Sequence, residues 1–371
     1  MAMPIGDSVK GTTMFSIEML PAKDGDCLWI EYGKSDEVHR VVIDGGPLGA
    51  CDALRNRIDA LPVSDRKFEL LIVTHIDSDH IAGVVKLFQD PPKGLFLQQV
   101  WFNAYRHLAE GYLGAKEAEF LTVYLQEIED KRPGFWNGAF DGKAVVVPDG
   151  GPFPQCTLDG GLKLTVLAPD AKALRALKRA WDKVIRDYMT PGSLEEAREL
   201  LKKDKRYRPG YLGGIDVHGL AEAPFEEDTA AANGSSIVVV AEYEQKKCLL
   251  AADAFPSKIS AGLKRLNGGG LRCPFAVVKI PHHGSHHNNS NELYQGIDSP
   301  VFLISTDGSK HEHPDQEAIA RILDNKRRKV KLVFNYTSTF NSVWNNDRLK
   351  DSAGYTTCYA SDENGGRKTQ I

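Results

Sequence analysis

Short apolar runs alternate with amphipathic stretches in the first part of the chain. The runs have the length and the β-branched content of strands, and they lie at residues 14–20, 27–32, 39–43, 70–73 and 95–102. The amphipathic stretches have the period of helices, and they lie at residues 51–61, 81–88 and 114–130. This alternation of strands and helices predicts an α/β protein.

The same two patterns continue through the rest of the chain, with more turn residues between them. Further strands are predicted at residues 143–147, 162–167, 236–243, 247–252, 275–280 and 301–305. Further helices are predicted at residues 170–188, 193–204, 257–266 and 315–325. No internal repeat is evident, so we interpret residues 1–371 as one domain that carries helical insertions at about 103–133 and 170–229.

Composition and charge exclude several classes of protein. The chain has 371 residues, of which 42% are hydrophobic, and its net charge is −4 with acidic and basic residues interleaved. This balance gives no global basic field for a nucleic acid. No apolar run approaches the ~18 residues that cross a bilayer, and residues 1–13 do not resemble a signal peptide. We therefore expect a cytoplasmic protein with no membrane partner. The six cysteines show no Cys-x-x-Cys pairing, which indicates reduced thiols.

One local basic segment is an exception to this charge balance. Residues 202–211 interleave lysines and arginines with Tyr207 and Tyr211, a pattern that could bind phosphates or stack bases. A solvated helix face followed by a surface loop explains the same residues and is the usual behaviour of such charge runs.

Candidate chemistry is concentrated where predicted strands end. Strand 70–73 is followed by two histidines and two aspartates, which are His75, Asp77, Asp79 and His80. In a turn that leaves a strand and opens a helix, four such ligands can splay around two adjacent ions, which predicts a dinuclear site. The alternative is a polar turn in which Asp79 helps to cap the helix. Asp44, after strand 39–43, is either a supporting group for this site or an ordinary turn residue.

Later strands end in the same kinds of side chain. Asp253 could bridge two cations, although alone it could equally cap the helix that follows. One of His282 and His283 is predicted to be a ligand, because both follow a strand rich in valine and isoleucine. His313 lies between another predicted strand and its helix.

Taken in order, these motifs resemble those of the metallo-β-lactamase superfamily, and more narrowly the soluble metallo-hydrolase domain of ComEC-type competence proteins. The residues that carry the resemblance are 74–80, 233–238, 253, 279–285 and 313–314. The resemblance implies a four-layer αββα sandwich with two divalent metal ions, Zn or Mn, between the loops of its two sheets.

The family pattern also implies a distribution of ligands between the two ions. One ion would lie among His75, Asp77 and Asp253. The other would lie among Asp79, His80, Asp253 and either His282 or His283.

The chain departs from the family pattern at the first of these ions. Asp77 stands where most members have a histidine, and no isolated histidine matches the usual third ligand, although His107 and His218 are available. The resulting donor set is richer in carboxylate oxygen, which moves the preference from Zn toward Mn without excluding Zn.

These features lead us to expect a dinuclear metal-dependent hydrolase. Asp77 or Asp79 could accept a proton, and Lys279 and His313 could stabilise a leaving group or bind an anionic substrate; alternatively, Lys279 simply extends to solvent from its strand end. Candidates for contact with the substrate are Asn233, Ser235 and His286. We expect a phosphate-containing substrate, nucleic acid included, and hence a phosphodiesterase. The alternatives are a partner protein with a degenerate metal site and a lactamase- or thioesterase-like hydrolase.

Overall fold

The computed structural model describes residues 11–108, 116–188, 215–270, 272–362 and 364–371. Its strands are β1 (Thr13–Met19), β2 (Leu28–Lys34), β3 (Glu37–Ile43), β4 (Lys67–Ile72), β5 (Phe96–Trp101), β6 (Gln155–Thr157), β7 (Lys163–Ala168), β8 (Val238–Tyr243), β9 (Lys246–Leu250), β10 (Cys273–Pro274), β11 (Val277–Lys279), β12 (Ile297–Asp298), β13 (Val301–Ile304), β14 (Val330–Phe334), β15 (Tyr355–Cys358) and β16 (Arg367–Gln370). Its α-helices are α1 (Cys51–Asp59), α2 (Ser78–Gln89), α3 (Lys116–Glu129), α4 (Ala171–Tyr188), α5 (Val217–Ala221), α6 (Ala231–Gly234), α7 (Pro256–Leu266), α8 (Asn291–Gln295), α9 (Gln316–Asn325) and α10 (Asp347–Ala353).

The first sheet, within the described residues, has six strands in the order β16-β1-β2-β3-β4-β5. Strands β1 to β3 form an antiparallel meander, whereas β3, β4 and β5 run parallel. The carboxyl ends of β3 and β4 therefore share one edge of the sheet. Asp44 follows β3 at this edge, and residues 74–80 follow β4.

The second sheet, counted over the same residues, has eight strands in the order β15-β14-β13-β11-β9-β8-β7-β6. Strands β9, β11, β13, β14 and β15 run parallel, so their carboxyl ends also share one edge. The hairpin from β8 to β9 turns at Glu244 and Gln245, whose φ angles of 47° and 65° suit a tight two-residue turn. Asp253, His282 and Ser305 follow β9, β11 and β13.

Apolar side chains bury both faces of both sheets, which produces four layers. Residues of β2, β4, β8 and β11 pack together between the sheets. Helices α1 to α4 cover the outer face of the first sheet, and helices α7, α8 and α9 cover the outer face of the second. This αββα order confirms the predicted fold class.

The predicted strand at residues 143–147 is wrong. Val147 makes only a single bridge, to Asp170. Val145 is held instead by the side-chain amide of Asn103, which donates to its carbonyl and accepts from its backbone N–H, both at 2.8 Å. A side chain therefore satisfies the backbone groups that a neighbouring strand would otherwise pair.

The C-terminal strands were not predicted, and they complete both sheets. Strands β14 and β15 extend the second sheet, and β16 pairs antiparallel with β1 in the first. Helix α3 lies in the first predicted insertion, and α4 and α5 lie in the second. The predicted helix at 193–204 and the basic segment at 202–211 lie outside the described residues. In the described part of the chain, none of the helices has the length and apolar character needed to cross a membrane.

Candidate metal centre

The ligand-bearing edges of the two sheets face each other. The backbone N–H of Ile237, just before β8, donates to the carbonyl of Thr74 at 2.9 Å. The hydroxyl of Ser305, after β13, donates to the carbonyl of Gly25 at 3.1 Å. These bonds join loops of the first sheet to loops of the second, so the side chains of both sets of loops meet between the sheets.

Four of the predicted ligands form one group, which we call the four-ligand group: Asp79, His80, Asp253 and His283. Their ligand atoms all lie within 4.8 Å of one another. His80 Nε2 is 3.3 Å from Asp253 Oδ2, and His283 Nε2 is 3.5 Å from the same oxygen and 3.7 Å from Asp79 Oδ2. These separations exceed normal hydrogen bonds. Two donor atoms held about 2.1 Å from one tetrahedral ion are about 3.4 Å apart, so the spacing fits a shared cation.

Three polar atoms of this group have no hydrogen-bond partner among the described residues. They are Nε2 of His80, Nε2 of His283 and Oδ1 of Asp253, and all three are buried. Each unpaired buried polar atom lowers the stability of a fold by about 1–3 kcal/mol. Several such atoms in one place therefore indicate a ligand that pairs with them. A divalent cation would satisfy all of them, so these residues fit a metal ion.

Both histidines of the group are held through their other ring nitrogen. His80 Nδ1 lies 2.8 Å from Asp44 Oδ2, an oxygen that also accepts from the hydroxyl of Thr74 at 2.7 Å. His283 Nδ1 lies 2.8 Å from the carbonyl oxygen of Ser305. Because both partners are acceptors, each Nδ1 carries a proton and each Nε2 faces the group, as in metal-binding histidines. Asp44 is therefore a supporting residue rather than an ordinary turn residue.

The aspartates of the group do not cap helices. Helix α2 begins after Asp77 and helix α7 begins after Phe255, and neither N-terminus has a side-chain cap bond. The capping alternatives for Asp79 and Asp253 are therefore not supported by the geometry.

Next to the four-ligand group lie His75 and Asp77, which we call the open pair. His75 Nε2 is 3.7 Å from Asp77 Oδ2, and the Asp77 side chain is 42% exposed. The ring of His75 lies 4.2 Å from that of His80, centroid to centroid. Within the described residues, the open pair and Asp253 do not form a ligand group as close as the first one.

Neither of the spare histidines supplies a third ligand to the open pair. His107 accepts a hydrogen bond from the backbone of Ala104 at 3.1 Å, and its ring packs against Trp136. His218 is exposed on α5 and lies 3.1 Å from Asp324. Within the described residues, these two histidines therefore lie in other contacts, and the number of ligands at the open pair stays a prediction.

His282 lies at the rim of the centre. Its Nε2 is 3.5 Å from Asp253 Oδ2, its side chain is 22% exposed, and its Nδ1 lies 2.8 Å from Asn288 Oδ1. His282 and His283 have φ angles of 43° and 54°, a left-handed conformation that is uncommon outside glycine. This backbone directs the two imidazoles differently, so His283 joins the four-ligand group and His282 stays beside it.

Charge gives the two histidines of the four-ligand group unusually high pKa values. Burial lowers the pKa of His80, but the carboxylates of Asp253 and Asp44 outweigh it and hold that pKa well above its usual value. Burial likewise lowers the pKa of His283, but Asp253 and Asp26 outweigh it and raise that pKa to about 10. The neighbouring carboxylates therefore favour the protonated form of both imidazoles.

The open pair shows the opposite pattern. Burial, helped by the positive charge of His80, lowers the pKa of His75 to about 4. Burial, helped by the negative charge of Asp79, raises the pKa of Asp77 to about 6. At neutral pH His75 is therefore unprotonated, and Asp77 titrates close to the physiological range.

Lys279 does not occupy the position expected of a substrate contact. Its side chain is fully buried, and its ammonium donates to Asp26 Oδ2 at 2.5 Å and to the carbonyl of Ile280 at 3.2 Å. It therefore neither reaches the open side of the centre nor extends to solvent from its strand. The expectation that Lys279 binds an anionic substrate is corrected by this ion pair.

His313 does lie beside the centre. Its ring is 5.8 Å from that of His282, centroid to centroid, and its side chain is 12% exposed. Burial lowers the pKa of His313, although the nearby Asp315 partly offsets this. His313 is therefore a mainly neutral imidazole at the rim.

The predicted substrate contacts are tied into the protein. Asn233 Nδ2 donates to Asp228 Oδ2 at 2.7 Å, and that oxygen lies 3.6 Å from His282 Nδ1. The buried hydroxyl of Ser235 donates to the carbonyl of Ala232 at 2.6 Å. Asn233 therefore supports His282 through Asp228, and the Ser235 hydroxyl is used within its own helical turn.

His286 is held at the start of α9. Its Nδ1 and its backbone N–H lie 2.5 Å and 2.7 Å from Asp315 Oδ2. This contact orients the imidazole of His286, and a role in substrate binding stays a prediction.

Asp26 and Asp228 also lie beside the centre, and neither is predicted from the sequence. Asp26 sits in the turn after β1 and pairs with Lys279, and Asp228 sits before α6 and faces His282. The only sequence signal for Asp26 was its place in a turn rich in aspartate and glycine. No local pattern marked Asp228, because its partner His282 is far away in sequence.

The fold and these contacts define an αββα protein with a candidate metal centre between two sheets. In structure the chain is similar to CmlA, a diiron β-hydroxylase from Streptomyces venezuelae, with 12% identity and a TM-score of 0.40 over 97% of this chain and 55% of that one. It is also similar to the metallo-β-lactamase-fold protein YhfI from Bacillus subtilis, with 8% identity and a TM-score of 0.37 over 96% of this chain and 100% of that one.

A further similar structure is Zn²⁺-bound PqqB from Methylobacterium extorquens, with 12% identity and a TM-score of 0.35 over 92% of this chain and 87% of that one. The chain spans about half the length of the CmlA protein. No protein-family model and no curated protein matches the sequence.

Proposed function

We propose that this protein is a metal-dependent hydrolase of phosphate esters and that the candidate metal centre is its active site. The observation that carries the proposal is the convergence of unpaired, buried ligand atoms on one point between the sheets. Protein interiors normally pair such atoms, and the supporting bonds behind His80 and His283 aim their free nitrogens inward.

Divalent ions bound here would supply Lewis acidity and a water of lowered pKa. The four-ligand group would hold one ion, and the open pair with Asp253 would hold the other. Asp253 suits a bridging role because its Oδ2 faces the imidazoles of His80, His282 and His283 while its Oδ1 is unpaired among the described residues.

The chain's own residues supply the proton chemistry at the open side. Asp77 is partly exposed, and its pKa of about 6 suits a group that accepts a proton and releases it near neutral pH. His313, next to His282, can orient a substrate oxygen through a hydrogen bond from its imidazole. Asp228 and Asn288 fix the ring of His282 beside His313.

The phosphate-ester class rests on the resemblance to the ComEC-type metallo-hydrolase domains and on the chemistry of the rim. Two adjacent cations form a clamp for a phosphate group. The rings of His282, His313 and His311 follow one another at 5.8 Å and 5.9 Å, and neutral or charged imidazoles can donate to phosphate oxygens. Nucleic acid belongs to the same substrate class.

The donor set leaves two metals in competition. Two carboxylates and two imidazoles favour a harder ion such as Mn more than an all-histidine site does. The donor spacing of 3.3–3.7 Å fits the four-coordinate geometry that Zn prefers.

A metal count combined with an activity assay tests the proposal. We expect the protein to bind about two ions per chain and to hydrolyse bis(p-nitrophenyl) phosphate, and we expect Asp253→Ala to abolish both properties because a shared ligand is removed. Asp298→Ala is the matched control, since Asp298 is a surface carboxylate paired with Arg328. Wild-type turnover in a folded Asp253→Ala protein would contradict the proposed mechanism.

A partner protein with a structural ion is the second candidate. Four protein ligands complete a tetrahedral site, which is the arrangement of structural rather than catalytic zinc, and the open pair has few ligands. One tightly bound ion per chain without turnover on any phosphate ester would favour this candidate.

A further inference from the structure

A buried ion pair links the two sheets beside the four-ligand group. Lys279 Nζ of β11 lies 2.5 Å from Asp26 Oδ2, and the two side chains are 0% and 2% exposed. Asp26 belongs to the turn between β1 and β2, so the pair joins the second sheet to the first. Burying two charges is costly, and a well-packed apolar pair is often equally stable at such a position. Stability alone therefore does not explain why a charged pair lies at this position.

The second oxygen of Asp26 faces a proposed metal ligand. Asp26 Oδ1 lies 3.6 Å from His283 Nδ1 and has no hydrogen-bond partner among the described residues. His283 Nδ1 meanwhile donates to the carbonyl of Ser305 at 2.8 Å. Two acceptors thus lie on the side of the imidazole opposite Nε2, and both favour the ring orientation that points Nε2 into the four-ligand group.

The turn that carries Asp26 also packs against the other half of the group. A Cβ atom at Gly25 would lie 1.9 Å from the carbonyl oxygen of Asp79, so only glycine allows this approach. The carbonyl of Asp26 accepts from the backbone of Gly46 at 2.9 Å, and the carbonyl of Gly25 accepts from Ser305. One turn is therefore in contact with Asp79 from the first sheet and with the loop that supports His283 from the second.

We propose that Asp26 and Lys279 are a positioning pair: Lys279 anchors Asp26, and Asp26 fixes His283 relative to Asp79 and so sets the metal affinity of the four-ligand group. This inference rests on the metal centre of the proposed function. It gives a role to the lysine whose expected contact with substrate the structure does not support.

The test separates positioning from stability by comparing two variants. Lys279→Met leaves a buried, unpaired carboxylate, so it should destabilise the fold and weaken metal binding together. The double variant Asp26→Asn with Lys279→Met removes both charges at nearly constant volume, so its melting temperature in the metal-free state should recover. A positioning role predicts that Zn²⁺ affinity stays about 10–100-fold weaker in this stable double variant, as for other residues that support metal ligands.

Zn²⁺ dissociation constants come from competition with a chelator, and the visible spectrum of the Co²⁺-loaded protein reports the geometry of the ligands. We expect the double variant to change this spectrum. Arg40→Met is the matched control because Arg40 is a buried cation that pairs with Glu31 at 3.3 Å and lies earlier on β3, before Asp44. It should lower the melting temperature and leave both the Zn²⁺ affinity and the Co²⁺ spectrum unchanged.

A double variant that binds Zn²⁺ like the wild type would overturn the positioning role and leave the proposed function standing. A wild-type protein that binds neither ion would overturn the proposed metal centre itself, and this inference with it. If the double variant does not recover its stability, the single variant Asp26→Asn is used instead, because it keeps the size of the side chain. Its Zn²⁺ affinity and Co²⁺ spectrum then decide the question.

Discussion

The four-ligand group and the open pair share the loop after β4, yet their surroundings differ. The group draws on both sheets, and the histidine of each sheet is held by a buried acceptor behind it. The open pair comes from that one loop, and Asp77 is partly exposed. Among the described residues, the contact behind His75 comes from Thr74, whose hydroxyl lies 3.0 Å from His75 Nδ1.

Ligand type alone therefore does not decide how firmly a metal site holds its donor atoms in place. Both sites offer imidazole and carboxylate, but within the described residues the donors of the group, unlike those of the open pair, are fixed by residues from distant parts of the chain. We therefore expect one tightly bound ion at the group and one weakly bound ion at the open pair.

Single substitutions of the adjacent histidines His282 and His283 should affect the tight ion differently. His283→Ala deletes a donor of the four-ligand group, so we expect the affinity for the tight ion to fall about 1,000-fold, roughly one ligand's share of a four-ligand site. His282→Ala deletes a rim residue, so the tight ion should stay and phosphodiester hydrolysis should fall. Metal content after dialysis and chelator competition measure both effects. Equal loss of the tight ion in the two variants would show that the contrast between His282 and His283 is not real.

The pH dependence of metal binding should also differ between the two sites. The raised pKa values of His80 and His283 keep both imidazoles protonated at pH 7 in the metal-free protein, so an ion entering the group must displace two protons. Affinity at the group should then fall about 100-fold for each unit by which the pH drops.

At the open pair the dependence should be weaker. His75, with a pKa of about 4, is already unprotonated, and Asp77, with a pKa of about 6, takes up a proton as the pH falls through that value. Calorimetry of Zn²⁺ binding in buffers of different ionisation enthalpy counts the protons released at each site. Release of no protons at the tight site would contradict the charge pattern described above.

The smallest effect concerns the choice of metal at the open pair. Asp77→His exchanges a hard oxygen donor for an imidazole, so the activity of the Zn-loaded protein relative to the Mn-loaded protein should rise about tenfold. The comparison uses chelator-stripped wild type and variant, reloaded side by side across a metal series. The matched variant Asp77→Asn keeps an oxygen donor and should retain the wild-type ranking of metals. An unchanged ranking in Asp77→His would place Asp77 outside the ligand shell.

The sequence could predict where strands end and which side chains follow them, because apolar runs and ligand clusters are local patterns. It therefore located the loops after β4, β9 and β11 and the layered fold that the family resemblance implied. Directions of side chains depend on backbone conformation and on distant partners. The choice between His282 and His283, the ion pair of Lys279 with Asp26, and the contact of Asp228 with His282 all arise in this way.

Segment 143–147 shows the same limit in the fold itself. Its valines have the composition of a strand, yet the side chain of Asn103, far away in sequence, takes the hydrogen bonds that a neighbouring strand would have made. Strand β16 is the converse case. Its four residues are all polar, and it is a strand because it pairs with the edge of β1.

The left-handed backbone at His282 and His283 has a consequence for how this chain can change over generations. Glycine suits such a backbone better than any side chain, and non-glycine residues there cost on the order of 1 kcal/mol each. A lineage selected only for a more robust fold would therefore drift toward glycine at these two positions. In the loop after β11, selection for fold stability and selection for metal chemistry therefore favour different residues. A descendant that lost the chemistry would not be selected to keep these two imidazoles.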